Sequence, residues 1–247
     1  DKFIIKLLVS FGGLGIYDIS QRIAFQINNL FGVLQSTFLA DFYKMANDSN
    51  VFEKKDLPFF ITKYFFVSTL FCLIFCFFSF ELISIITPKS FHDAINLISI
   101  LSLSYSLLFF GYVPILLHLK KTFLISKFSI FSFLVTLIVV INFIYGFGLI
   151  GAVVGILISN LITQAIYFII VYRLFPLKWD FKKILSIYFL LFFSSIFIII
   201  AREIELYYFF RLSMKIVFII LFLYYGDKNN ILDLRFYYNL LLKKLLN

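Results

Sequence analysis

Asp18, Arg22, Gln26, Asn29 and Ser36 recur at steps of three, four and seven residues inside an otherwise apolar stretch. On a helix turning about 100° per residue they share an arc of roughly 80°. Gln21, Asn28 and Gln35 form an adjoining row, and Ile23, Ile27, Leu30 and Leu34 take the opposite side. A guanidinium among amides and hydroxyls suits an anionic or sugar-bearing ligand, because it offers charge-assisted donors while the amides bond hydroxyls. The alternative is structural: Asp18 and Arg22, four apart, pair with each other, and the amides join helices. The row is longer than one ion pair needs, so we read it as lining a polar cavity, with Asp18, Gln21, Arg22, Gln26 and Asn29 as candidate ligand contacts.

Further along, Gly151, Gly155 and Ser159 recur every four residues. Small residues at that spacing let two membrane helices approach closely. Asn160 and Gln164, also four apart, either face the same cavity as Arg22 or bond across helices. Cys72 and Cys76 lie four apart with no His near them, which reads as core- or lipid-facing thiols rather than a metal site. His92 and His118 lack a third member of any triad or metal set. No glycine-rich phosphate loop is present. Accordingly no catalytic residue, metal ligand or cofactor is expected. Lys63 sits close enough to a segment end to snorkel, and Lys215 with Arg211 either snorkels outward or marks a tilted segment. Asp18 reads as the one acidic residue well placed within the apolar segments.

The elements that must carry these residues are set by composition. Apolar residues make up 62% and charged residues 14% of 247, against about half and a quarter in soluble domains. The 37 Phe exceed what a globule of this size can hide. Mean hydropathy is +1.03, and apolar runs are continuous rather than alternating. Helices are therefore the expected spanning form, and a soluble domain or β-barrel is excluded. About seven apolar segments follow, near residues 15–40, 58–86, 94–117, 122–145, 149–172, 184–200 and 207–225. The expected fold is an all-α, polytopic transmembrane helix bundle over residues 1–225, with a basic amphipathic tail over 226–247.

Orientation follows from the Lys/Arg bias of short loops. Lys44, Lys54, Lys55, Lys120, Lys121, Arg173, Lys178, Lys182 and Lys183, with Lys228, Arg235, Lys243 and Lys244 of the tail, fall on one side. The other side holds Lys2, Lys6, Lys89, Arg202 and Arg211. The first set is expected to be cytoplasmic, which places the C-terminus inside. The net charge of +9 then reflects this bias and attraction to anionic lipid, with no nucleic-acid partner. In the tail, Ile231, Leu234, Tyr238, Leu241, Leu242 and Leu245 stand at helical spacing, as an interfacial helix requires. The chain begins at Asp1 and reads as the C-terminal part of a longer protein.

Three motifs carry a resemblance. Asp1-Lys2-Phe3-Ile4-Ile5, then Gly15-Ile16-Tyr17, then a helix bearing Arg22, resembles the start of the second half of the polysaccharide flippases. Those proteins belong with the multidrug/oligosaccharidyl-lipid/polysaccharide exporters. Tyr145-Gly146-Phe147-Gly148-Leu149-Ile150-Gly151-Ala152 is similar to that family's glycine-hinged approach to its twelfth helix. A short connection over residues 87–93 before a Ser-rich helix also fits. The chain departs from the pattern in lacking a Pro within Phe38-Leu39-Ala40-Asp41-Phe42-Tyr43-Lys44. The resemblance implies helices eight to fourteen of a two-lobe fold in a bacterial inner membrane, with a missing N-terminal lobe completing a central cavity. It implies translocation of an oligosaccharide on undecaprenyl diphosphate to the outer leaflet by alternating access. Arg22 would then meet the diphosphate, and Gln21, Gln26 and Asn29 the sugar. The implied partners are the lipid-linked oligosaccharide, membrane lipids, a polysaccharide polymerase and a chain-length regulator.

Other readings stay open on the residues alone. A drug exporter of the same superfamily shares the fold but usually uses acidic coupling residues in a more apolar cavity. A peptidoglycan-precursor flippase is close. A membrane glycan polymerase would need a large outer loop, and the outer connections are short. A structural subunit would have no use for the polar row.

Overall fold

The computed structural model describes residues 11–47, 56–108, 112–176, 180–204 and 207–231. All regular structure among them is helical: α1 (Phe11–Asn47), α2 (Asp56–Phe77), α3 (Ser79–Ile86), α4 (Ala94–Ser106), α5 (Tyr112–His118), α6 (Thr122–Leu174), α7 (Phe181–Glu203) and α8 (Tyr208–Lys228), with one 3-10 turn at Lys89–Phe91. Among the described residues four helices are long and apolar enough to cross a membrane, namely α2, α6, α7 and α8. Their outward surfaces carry Phe133, Leu134, Ile138, Phe189, Phe193, Ile216, Ile220 and Leu221 exposed. So much uncovered apolar surface fits a hydrocarbon surround and would be a liability in water. The chain is an all-α membrane helix bundle.

The 53 residues of α6 are two helices. Gly148 breaks them with φ 58 and ψ −133, a conformation open to glycine and costly to residues with a Cβ. The two arms fold back on each other. Phe128 stacks on Tyr167 at 4.2 Å, and the Tyr167 hydroxyl donates to the Phe128 carbonyl. Thr136 donates to the Ser159 hydroxyl at 3.2 Å. These pairs are centred on the bend, so the arms are antiparallel. Close approach is made possible by missing side chains: a Cβ on Gly151 would lie 2.0 Å from the Phe143 carbonyl oxygen, and one on Gly155 would lie 3.0 Å from the Val140 Cα. The break falls between the segments expected at 122–145 and 149–172.

Elsewhere the segment expectations need correction. The run 58–86 is not one helix. It breaks at Phe78 (φ −95, ψ 14) between α2 and α3, without any Pro or Gly. The break adjoins Ser79, whose hydroxyl lies 2.8 Å from that of Ser99 on α4. The run 94–117 is also divided, into α4 and α5. By contrast, α8 over Tyr208–Lys228 matches the segment expected near 207–225 to within three residues. There Gly226 lies against Phe66, where a Cβ would come within 2.5 Å of the ring. The helix closes with Asn230 at φ 55 and with Ile231 N–H donating to the Gly226 carbonyl at 2.9 Å. This is the left-handed C-cap with its accompanying buried apolar residue, Ile231. The amphipathic stripe over Leu234, Tyr238, Leu241, Leu242 and Leu245 and the Asp1–Ile5 motif lie outside the described residues.

The bundle is organised around α4, which packs on α1, α2, α3, α6 and α7. Its Ser99, Ser102, Ser104 and Ser106 are buried. Each hydroxyl bonds a carbonyl three or four residues back, for example Ser102 to Ile98 at 2.7 Å and Ser106 to Leu103 at 2.6 Å. Small, internally satisfied side chains let one short helix touch several neighbours. Cys72 and Cys76 are buried free thiols in the α2 core.

Candidate functional site

The helix α1 presents two unlike faces. Tyr17, Ala24, Ile27, Phe31, Phe38 and Phe42 are buried. Ala24 packs with Leu97 and Leu101 of α4, and Ile27 and Phe31 with Cys72 of α2. Ser20 reaches across to the Ala94 carbonyl at 3.4 Å. The buried stripe is rotated from the expected row: Ile27 is fully buried, but Ile23, Leu30 and Leu34 are only half-buried. Tertiary packing on two helices, α4 and α2, selects a stripe that hydrophobicity alone does not define.

On the other face Arg22, Gln26, Asn29 and Ser36 are exposed. Arg22 Nε donates to Asp18 Oδ2 at 2.7 Å, with the arginine side chain 76% exposed. Gln26 Nε2 donates to the Arg22 carbonyl at 3.3 Å, and Asn29 Nδ2 to Gln26 Oε1 at 3.0 Å. Ser36 returns its proton to the Val33 carbonyl at 2.8 Å. Gln21, Asn28 and Gln35 are half-buried at the edge of the packed face. From Asp18 to Ser36 the row rises about 27 Å at 1.5 Å per residue, close to the roughly 30 Å of a bilayer core. The row has donors to spare, since the Arg22 fork carries five N–H groups and Asp18 takes the one at Nε.

Asn160 and Gln164 stand elsewhere. Asn160 Nδ2 donates to the Ser104 carbonyl of α4 at 3.4 Å, which joins two helices. Gln164 lines an apolar cleft of about 460 Å3 between α2, the second arm of α6 and α7, together with Phe65, Leu107, Phe168, Ile184 and Tyr188. No residue of α1 lines this cleft. Gly151, Gly155 and Ser159 lie at the contact between the arms of α6.

A second polar group escapes the periodicity argument. Lys215 Nζ of α8 lies 2.6 and 2.8 Å from the two carboxylate oxygens of Glu81 on α3, with the lysine 5% exposed. Two expectations fail here. Lys215 does not reach outward but turns into the bundle, because a carboxylate from α3 offsets the cost of its burial. Nor is Asp18 alone, since Glu81 is an acidic residue within the apolar segments. Beside this pair, Arg202 of α7 donates to Asn96 Oδ1 of α4 and, at 3.4 Å, to the Ser79 hydroxyl. Arg211 of α8 lies over the rings of Phe80 and Tyr208, 5.5 and 6.0 Å from their centroids. The one available signal was that Glu81 and Lys215 are each isolated charges in apolar runs, which calls for a partner.

Among the described residues no group of His, Cys, Asp and Glu is arranged to hold a metal ion. The chain matches no family model, no curated protein and no solved structure.

Proposed function

We propose that this chain is part of a flippase that carries an oligosaccharide on undecaprenyl diphosphate from the cytoplasmic to the outer leaflet of a bacterial inner membrane. The observation that carries the reading is the α1 polar row, exposed over a membrane's depth on a helix whose other face is packed. A sugar–diphosphate head cannot cross hydrocarbon unless amides, hydroxyls and a cation replace its water. Arg22 supplies the cation for a diphosphate oxygen. Gln21, Gln26 and Asn29 supply sugar contacts, and Asp18 holds the Arg22 fork in place. An N-terminal lobe facing this row would enclose the path, and rocking of the two lobes would open it to each side in turn. The Lys/Arg bias of the loops supports a cytoplasmic C-terminus.

The test is the sidedness of lipid-linked repeat units in cells lacking the full-length gene. Complete units trapped on the cytoplasmic face, together with loss of surface polysaccharide, are the expected result. Single units that reach the outer face and stay unpolymerised would instead identify a polymerase. Unaltered glycan and sidedness in a strain without a redundant flippase would remove the proposal. Complementation with Arg22→Ala is expected to lower export at least tenfold with normal membrane insertion.

A further inference from the structure

The short helix α4 packs on both α6 and α7 but ends at Ser106. From that level to the α6–α7 connection the two helices part, which leaves the apolar cleft of about 460 Å3 described above. Buried Ile61 and Phe65 of α2, with Leu107, form its floor. Leu161, Ile169 and Phe181 stand exposed at its edges, so the cleft opens sideways into whatever surrounds the bundle. The two hydroxyls of its lining are spent inside the protein. Thr62 donates to the Pro58 carbonyl at 2.7 Å, and Tyr188 donates to the Ser106 carbonyl at 3.3 Å. The wall therefore offers hydrocarbon and ring faces, with Gln164 as its amide.

Depth decides what fits. Along α7 the cleft runs from Phe181 to Phe192, about 16 Å at 1.5 Å per residue. That is about half of the roughly 30 Å hydrocarbon core, and so the depth of one leaflet. A further transmembrane helix needs about 20 residues and the whole depth. The acyl chain of a phospholipid is as long as its leaflet is deep. An empty cleft would forfeit dispersion contacts along its walls, and water there would find few partners. At the shallow end the Phe181 ring meets those of Phe168 and Tyr172 at 5.7 and 6.5 Å. The connection over residues 173–183 carries Arg173, Lys178, Lys182 and Lys183 with a single acid, Asp180. Lys183 Nζ lies 3.7 Å from Asp180 Oδ2 and donates to the Asn229 carbonyl at 3.3 Å. Lys182, next to Phe181, is exposed. Basic side chains beside the mouth of an apolar cleft complement an anionic headgroup.

We propose that the cleft between the second arm of α6 and α7 holds one acyl chain of an anionic phospholipid, drawn from the leaflet on the side of the α6–α7 connection. The site is separate from the α1 row and does not depend on the translocation reading. The test places the full-length protein in nanodiscs of phosphatidylethanolamine and phosphatidylglycerol. A trace of phosphatidylglycerol bears a diazirine near the end of one acyl chain, and peptide mass spectrometry maps the photolabel. Saturable labelling of Phe65 and Leu107 on the floor, competed by unlabelled phosphatidylglycerol, is expected. Ala165→Trp fills the cleft from an exposed lining position and should remove most of the floor label. Ile138→Trp, exposed on the first arm of α6, should leave it unchanged. Lys182→Gln should lower the preference for this probe over its phosphatidylcholine equivalent about fivefold. Unlabelled floor residues, labelling that does not saturate, undiminished floor label in Ala165→Trp, or an unchanged headgroup preference in Lys182→Gln would overturn the proposal. So would displacement by undecaprenyl phosphate at lower concentration than by phosphatidylglycerol, which would assign a polyisoprenoid tail. Disulfide formation between Leu161→Cys protomers in place of the floor label would also overturn it and assign a helix of a second copy.

Discussion

The α1 row and the Glu81–Lys215 cluster use the same residue types in opposite ways. In α1 the contacts of Arg22 with Asp18, Gln26 with Arg22, Asn29 with Gln26 and Ser36 with Val33 are local, reaching three or four residues along one helix. In the cluster, Lys215 meets Glu81 across 134 residues and Arg202 meets Asn96 across 106. Local pairs leave the row's outward face uncovered, as a surface meant for a ligand or a second lobe requires. Long-range pairs consume their groups to fasten α8 to α3 and α7 to α4. An exposed ion pair is worth little to stability, while a buried one becomes expensive once a partner is removed. The two regions should therefore separate function from stability.

The strongest test of that contrast is Glu81→Ala. It leaves the Lys215 ammonium buried without a counter-charge, and the expected loss is about 3–5 kcal/mol. Denaturant unfolding in detergent micelles would measure it, and adding Lys215→Met should recover most of the loss. If Glu81→Ala unfolds like the parent, the cluster is not a fastening. Gly151→Ala should come next. Its Cβ would press on the Phe143 carbonyl, and overpacking of this kind costs about 1–3 kcal/mol. Cysteine cross-linking between positions 136 and 159 would show whether the arms have parted. Asn160→Leu removes one interhelical bond, for which about 0.6 kcal/mol is typical within membranes. A loss several times larger would mean that Asn160 does more than meet the Ser104 carbonyl. Arg22→Ala sits at the small end for stability, at about 0–0.5 kcal/mol, yet should be the most damaging to export. A large stability loss without a specific transport defect would move Arg22 into the same class as Lys215.

Much of α1 was legible, because helical periodicity sorts residues by face and the polar row needs no partner to define it. The Gly148 bend was legible too, since clustered glycines mark a boundary in an apolar run. By contrast, nothing near Phe78 signals a break, which adjoins the contact between Ser79 and Ser99 on α4. Asn160 and Gln164 share a spacing and yet meet different surroundings, the Ser104 carbonyl and an apolar cleft. Their spacing sets their face on the helix, but not what packs against it.

Composition and period alone therefore determined the class of molecule, the position of its apolar runs and the polar face of α1. These depend on transfer from water to hydrocarbon and on a fixed rotation per residue, both local properties. Which face of α1 packs on α4 and α2, how closely the α6 arms approach, and that Lys215 turns inward were decided by the tertiary structure. Each depends on a partner distant in sequence, from 23 residues between the α6 arms to 134 for Lys215 and Glu81, or on the volume a neighbouring helix leaves free, and a linear pattern carries neither.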